Sequence, residues 1–371
     1  MELTARLGRG RRLLAHFDWY ALLLTVSIAG LGVWNLMSAS RTSHSNIWMS
    51  QLLWLGVGLA CILALVFWDY RNLMSLSYPV YVAVLLLLVG VLVKGKTVLG
   101  ARRWLDFGPI RLQPSELAKL GVILVLARYF HDRLPPKGGY RLRDLLIPFA
   151  LILLPAAMVM KQPDLGTALI IAAVGFTVCV FGRIRPLLLI ALALLGLSVT
   201  AVAWTHFLKG YQKKRVETFM NPEGDALGAG YHANQSMIAV GSGQLTGKGF
   251  GQGTQTQLSF LPEQHTDFIF SVWAEEHGFV MCVALILLYL GLILWCLSVA
   301  ARARERFGTF CAVGVAGLFA WHVFINIGMV SGLLPVVGVT LPLMSYGGSS
   351  LLTVLLGVGL LINIDMRRTG F

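Results

Sequence analysis

Apolar runs of roughly 17 to 25 residues recur from one end of this chain to the other, and each is long enough to cross a hydrocarbon core of about 30 Å as a helix. Lipid offers the backbone no hydrogen bonds, so runs of this length and continuity are expected to span as helices. Of the 371 residues, 57% are hydrophobic and only 13% charged, against about 25% in soluble domains. The expected fold class is an all-α integral membrane protein, a polytopic bundle of about ten transmembrane helices forming a single membrane domain. The spans fall near Asp18 to Met37, Trp48 to Phe67, Leu76 to Val93, Pro114 to Phe130, Leu145 to Met160, Leu165 to Phe181, Pro186 to Trp204, Phe268 to Val299, Thr309 to Val330 and Tyr346 to Ile364. Residues 1–16 form an N-terminal tail, and 205–267 a long loop between spans 7 and 8.

An even number of spans puts both termini on one side, and short-loop arginines and lysines decide which side that is. Seventeen of the 30 basic residues fall on the side of the termini, among them Arg71, Arg183, Arg185, Arg302, Arg367 and Arg368. That side is expected to be cytoplasmic, and the long loop extracytoplasmic. Phe17 to Met37 is too long for a signal-peptide core, so it is expected to remain as the first helix. The five cysteines lie singly in apolar runs with no metal or redox spacing, as small core or lipid-facing residues do.

Most of the remaining basic residues cluster between Lys94 and Lys119 and between Lys209 and Lys248. Such clustering fits an anionic ligand or lipid headgroups on the outer face. The long loop carries aromatic and aliphatic residues, so it is expected to pack rather than hang as a linker. Its glycine-rich stretch, Gly241 to Gln257, has amides that could hold a phosphate oxygen, although it matches no established phosphate motif.

Four polar constellations interrupt the apolar pattern, all at the outer side. In Leu258 to Phe279, Asp267 sits where polar loop meets apolar helix, a place where a carboxylate can stay ionised in a partly dehydrated site and act as a general base. Glu275 and Glu276 lie about 12 Å or more farther along that span and read as interior polar groups. His265 reads as a loop-holding group or a proton shuttle. The second cluster runs from Arg103 and Trp104 through Arg111, Gln113, Pro114 and Glu116 to Lys119. Glu116 and Lys119, three apart, share a helical face and are expected to pair. Asp164 opens the sixth span as a favoured N-cap residue. The fourth cluster, Ser331 to Ser350, is broken by proline and glycine, which membrane depth tolerates only where backbone is buried in protein or lines a cavity. His277 and His322, inside spans, read as core histidines.

Four stretches, RRWLDFGPIRLQPSELAK (Arg102 to Lys119), QPDLGTA (Gln162 to Ala168), LPEQHTDFIFSVWAEEHG (Leu261 to Gly278) and LPLMSYGGSS (Leu341 to Ser350), resemble the SEDS family, which includes RodA and FtsW. The likeness covers all ten spans, and Gln162 with the short tail places it nearer the RodA-like elongation branch. The resemblance implies a peptidoglycan glycosyltransferase of the bacterial cytoplasmic (inner) membrane that polymerises lipid II at the outer face. Asp267 is the implied catalytic carboxylate. Lys119, Arg111 and Arg103 are expected to offset pyrophosphate charge, and Lys119 alternatively to pair with Asp267 at rest. Glu116, Gln113, Trp104, Asp164, His265, Thr266 and Ser349 are expected around the substrate. The implied partner is a class B penicillin-binding protein, with a divalent cation (Mg or Mn) as the candidate cofactor and no nucleic acid. A ten-helix bundle also suits a lipid II flippase, or a scaffold that recruits the penicillin-binding protein. The chain shows no internal repeat of the transporter kind.

Overall fold

The computed structural model describes residues 17–41, 46–98, 101–108, 110–191, 194, 196, 210–220, 229–258, 260, 261 and 263–368. Nine of the ten expected spans lie within them as helices: α1 (Trp19–Ala39), α2 (Ile47–Phe67), α3 (Tyr70–Lys94), α4 (Pro114–Asp132), α5 (Leu142–Lys161), α6 (Leu165–Phe181), α10 (Ile269–Arg302), α11 (Arg306–Val330) and α12 (Gly348–Met366). Shorter helices α7 (Gly210–Met220), α8 (Ala229–Ser242) and α9 (Thr254–Gln257) belong to the long loop. The seventh expected span is helical at 186–191. Its end, the tail 1–16 and stretches 197–209 and 221–228 lie outside the described residues.

Helix starts follow local chemistry. Asp18 accepts from the Ala21 amide at 3.2 Å, Asp69 from Arg71 at 3.0 Å, and Asp164 from Thr167 at 3.2 Å, while Pro114 occupies the first turn of α4. Each supplies what the first turn lacks, an acceptor for its free amides or a residue with no amide to satisfy.

Seven of the described helices are long and apolar enough to cross a membrane, and the chain is a multi-pass membrane protein. The two other spans are the most informative. Helix α6 has 17 residues. Helix α4 carries Glu116 and Lys119 and is hidden by its neighbours, packing against α3, α5, α6, α11 and α12. A charged helix is tolerated in this bundle because it is the hub and faces little lipid. The arginines assigned by sequence to the cytoplasmic side meet acids at the other end of the bundle, Arg71 with Glu305 at 3.1 Å and Arg302 with Asp365 at 3.3 Å.

Sequence patterning missed a small antiparallel sheet between α3 and α4: β1 (Lys96–Val98), β2 (Ala101–Phe107) and β3 (Ile110–Leu112), in the order β1-β2-β3. Strands of three to seven residues carry too little alternation to register against long apolar runs. The ion pairs Lys96–Asp106 (2.9 Å) and Arg111–Asp106 (3.6 Å) lie across it.

The described part of the long loop is packed, as its composition implied. Helix α8 lies against α10 and α11. Helix α10 is interrupted at Gly278, whose φ of 72° and ψ of −174° are open to glycine and strained for other residues. The interruption frees backbone groups, and the loop satisfies them. The amides of Phe279 and Val280 donate to the carbonyls of Gln244 and Leu245, and those of Lys248 and Gly249 donate to Glu275 and Glu276. The buried Glu275 carboxylate then accepts from Lys248 Nζ (2.7 Å), the Gln255 amide (3.0 Å), the Thr256 amide (3.3 Å) and the hydroxyls of Thr254 and Thr256. Amides of the glycine-rich stretch that sequence offered to a phosphate are thus committed to α10. Glu276 accepts from the Ser38 hydroxyl at 2.5 Å, the interior role expected of it.

Removing the carboxylate in Glu275→Ala leaves buried loop donors, the Thr256 amide among them, without their acceptor, at a cost of about 3 kcal/mol. The variant should melt several degrees below the parent in detergent, followed by intrinsic fluorescence. An unchanged melting temperature would show that the loop is held by other contacts.

Candidate active site

At the end of the bundle where α4, α6, α10 and α12 begin lies a polar cavity of ≈ 270 Å³. Its wall includes Arg103 and Trp104 from β2, Gln113 and Glu116 at the start of α4, and Asp164 at the start of α6. Thr266 and Asp267 precede α10 with Glu263 just before them, Arg215 comes from α7 and His322 from α11, and Thr167 and Ile170 of α6 and Val337 to Thr340 with Tyr346, Gly347 and Ser350 complete it. All four sequence clusters therefore contribute to one space.

Asp267 is held by its backbone. Its carbonyl accepts from Asn326 Nδ2 at 2.9 Å, and the same amide group donates to the carbonyl of Val339 at 2.6 Å. The irregular segments on either side are stitched together: Ser345 Oγ donates to the Thr266 carbonyl at 2.6 Å, and the Tyr346 amide to that of His265 at 2.9 Å. Gln51 of α2 holds the far edge, donating to the Ser345 carbonyl at 3.0 Å and accepting from the Gly347 amide at 3.3 Å. Non-helical backbone at this depth is stable because each freed group finds such a partner.

The carboxylate of Asp267 faces the cavity while protein crowds its other sides. That loss of solvent, reinforced by Glu263 and Asp164, pushes its pKa up to about 6 against the opposing pull of Arg103 and Arg215. A carboxylate so tuned is ionised above pH 6 and still basic enough to take a proton. Gly338, with a φ of 76°, passes so close that a Cβ there would lie 3.2 Å from Asp267 Oδ2.

Asp164 both caps α6 and draws the β2 segment in, accepting from Gln113 Nε2 at 3.4 Å with Arg103 Nε 3.9 Å away. Arg103 also donates to the carbonyls of Gln162 and Pro163.

Several expectations are corrected. Lys119 is 1% exposed and sits behind the wall, donating to Glu116 Oε1 at 2.8 Å and lying 3.0 Å from His322 Nε2. It neither pairs with Asp267 nor meets the cavity, because α4 turns its second polar residue inward. Arg111 does not line the cavity; its side chain is mostly exposed and turned to Asp106 on the sheet. Ser349 lies beneath, accepting from the Gln113 amide at 3.1 Å and donating to the Arg111 carbonyl at 3.3 Å. His265 contributes its backbone to the stitching, and its ring turns toward Tyr346 and Glu263. Arg215 of α7, Glu263, Tyr346, His322 and Asn326 were not foreseen. His322 and Asn326, four apart on one face of α11, carried a legible signal as polar residues inside a span.

Residues 13–370 match the family of FtsW, RodA and SpoVE, described as "Cell cycle protein". The peptidoglycan glycosyltransferase MrdB of Escherichia coli K12 is 46% identical over 289 residues, covering 78% of this chain and 77% of its own. The peptidoglycan glycosyltransferase RodA of Treponema pallidum is 31% identical, covering 95% and 98%. Among solved structures, a chain from a peptidoglycan synthase complex described as coordinating polymerization and crosslinking superposes with a TM-score of 0.81 at 36% identity, covering 96% and 99%. The crystal structure of Thermus thermophilus RodA gives a TM-score of 0.72 at 34% identity, covering 96% and 98%.

Substituting Gly338→Ala should disturb the carboxylate directly through backbone strain and the 3.2 Å approach. The expected outcome is a loss of activity of at least about tenfold with a small change in melting temperature. Full activity would show that the loop can yield without moving Asp267.

Proposed function

This chain belongs to the FtsW, RodA and SpoVE family, and from that membership we infer that it is a peptidoglycan glycosyltransferase that joins lipid II units into glycan strands. The single observation that carries the mechanism is Asp267, half-buried on a polar cavity with its pKa raised to about 6. Asp267 takes the proton of the 4-hydroxyl on the acceptor's N-acetylglucosamine. That oxygen forms a bond to the anomeric carbon of the lipid-linked growing chain, on the face opposite the pyrophosphate. The anomeric C–O bond breaks with inversion, and its electrons leave with undecaprenyl pyrophosphate.

The leaving group's charge needs preorganised cations. Arg103 and Arg215 line the cavity and are assigned this role, while Lys119 acts from behind through Glu116. Asp267 and Asp164 share the cavity, and one or two carboxylates completed by phosphate oxygens are a common magnesium environment. Among the described residues no group of three or more acidic, histidine or cysteine ligands forms a cage. Asp164 on the cavity wall would hold a divalent cation, Mg or Mn, together with phosphate oxygens, and the ion would supply charge neutralisation at the leaving group.

The site end of the bundle is assigned to the outer face of the cytoplasmic (inner) membrane, with both termini in the cytoplasm. A class B penicillin-binding protein is the proposed partner, in keeping with the similarity to a chain of a peptidoglycan synthase complex. The RodA-like relatives favour a role in elongation and cell shape.

Asp267→Asn should abolish polymer formation from purified lipid II while leaving the melting temperature equal or higher, since burial works against the ionised carboxylate. Polymer made by this variant would overturn the assignment. In the parent, kcat/KM should fall as pH drops through about 6, where Asp267 gains its proton; a flat profile from pH 5 to 7.5 would exclude Asp267 as the base. Replacing Arg103 by Ala removes a charged donor from the cavity wall and should lower kcat/KM by about 10- to 100-fold. Unchanged kinetics would confine Arg103 to holding the Gln162–Pro163 backbone.

A further inference from the structure

At the cavity wall, a chain of hydrogen bonds ends on a carboxylate oxygen that has no partner among the described residues. His322 Nδ1 lies 3.0 Å from the carbonyl oxygen of Thr340, and Nε2 lies 3.0 Å from Lys119 Nζ. A carbonyl can only accept, so Nδ1 carries the hydrogen; an ammonium can only donate, so Nε2 presents its lone pair. The surroundings thus fix a neutral imidazole in one tautomer. Lys119 divides its donors between this lone pair and Glu116 Oε1, 2.8 Å away. Both basic side chains are buried, Lys119 to 1% and His322 to 3% exposure.

Glu116 belongs to the cavity wall and is 5% exposed, and its second oxygen, Oε2, has no partner among the described residues. An ionised carboxylate accepts at both oxygens, and a buried one with an open lone pair is costly unless a ligand fills it. Resting on the reading of the cavity as the lipid II site, we propose that Glu116 Oε2 binds a hydroxyl or amide N–H of the lipid-linked disaccharide, and that His322 is the positioning residue that holds it there through Lys119. The arrangement has the geometry this role requires. The Thr340 carbonyl belongs to the loop that also passes Asp267, through Gly338 and Val339, so the acceptor oxygen and the base are referred to the same segment. Asn326, one turn along α11 from His322, ties that segment to the Asp267 backbone. Sugar binding and proton abstraction are therefore measured off one helix face.

The test uses steady-state lipid II polymerisation by the purified full-length chain with the partner proposed above. A hydrogen bond to a charged acceptor carries enough energy to change affinity by about tenfold or more. Glu116→Gln and His322→Leu should each raise KM for lipid II about tenfold, with kcat changed much less. His322→Gln can offer an oxygen to Lys119 and an N–H to Thr340, and should stay within about twofold of the parent. His322→Asn, a methylene shorter, should behave like the Leu variant, which keeps the comparison available where the Leu variant fails to fold. In the Glu116→Gln background the His322→Asn change should have no further effect on KM, because its route to the sugar is already broken. A KM that stays at the parental value in Glu116→Gln, a Gln variant as impaired as Asn, or additive effects in the double variant would each overturn the proposal. A histidine that only supports the fold would lower the melting temperature and kcat and leave KM alone. Asp267→Asn in the same preparations separates the two failures. Polymer from that variant defeats the active-site reading itself, whereas its inactivity beside a parental KM in Glu116→Gln defeats only the relay.

Discussion

Asn326 makes the two contacts on which the site depends, donating from one amide group to the carbonyls of Asp267 and Val339. The constraint behind them is general: backbone that leaves helical form at membrane depth must find its partners inside the protein. Two irregular segments face each other at this end of the bundle, one leading into α10 and the other into α12. Each supplies part of what the other lacks, through Ser345 to Thr266 and Tyr346 to His265. Gln51 from α2 closes the edge. The cavity is the space left where that stitched backbone meets the starts of α4 and α6. The same rule governs the break at Gly278, where the long loop bonds the freed groups of α10. Function here is built on interruptions of helices, and side-chain amides and hydroxyls make the interruptions stable.

The electrostatics differ from what a basic outer surface suggests. Arg103 and Arg215 face the cavity, but Glu116, Asp164, Glu263 and Asp267 face it as well. Such a site is suited to a ligand with an anionic end and a hydroxyl-rich end, since carboxylates accept from sugar hydroxyls and guanidinium groups donate to phosphates. A lipid-linked saccharide has both ends. The arrangement also distributes work among the acids: Asp164 caps α6 and accepts from Gln113 while lining the cavity, and Asp267 and Glu116 face the substrate.

Much of this was legible in the sequence because the strongest signals in it are physical. Long apolar runs located nine helices, most ends within a few residues and the start of α3 six residues late, since length and hydropathy are set by the bilayer rather than by tertiary context. Punctuation by Asp164, Pro114 and the glycines near Gly348 marked where those helices start. The polar clusters were placed on one face by counting spans, and the cavity gathers residues from all of them. What escaped detection depends on direction, which spacing alone does not give. Lys119 and Glu116 are neighbours on a helix, yet one faces the cavity and the other its back wall. Arg111 and Arg103 are eight residues apart on a hairpin too short to announce itself, and only Arg103 turns inward. His322 looked like a satisfied core histidine, and both of its ring nitrogens are engaged, by groups that shape the site.

Two carboxylates at the same cavity end in different chemistry because their surroundings differ. Glu116 has an ammonium at 2.8 Å, a contact that fixes the direction of one oxygen. Such a group is a fixed acceptor. Asp267 is opposed by burial and by two other acids, which favours the neutral form and brings its pKa to about 6, closer to the pH at which it must accept and release a proton. Neither environment is local in sequence: the ammonium comes from one turn along α4 and is itself aimed by α11, and the acids around Asp267 come from the α6 start and the preceding turn. The division of labour is therefore a property of how the hub helix and its neighbours pack, and a substitution at a helix contact far from substrate can change it without touching either carboxylate.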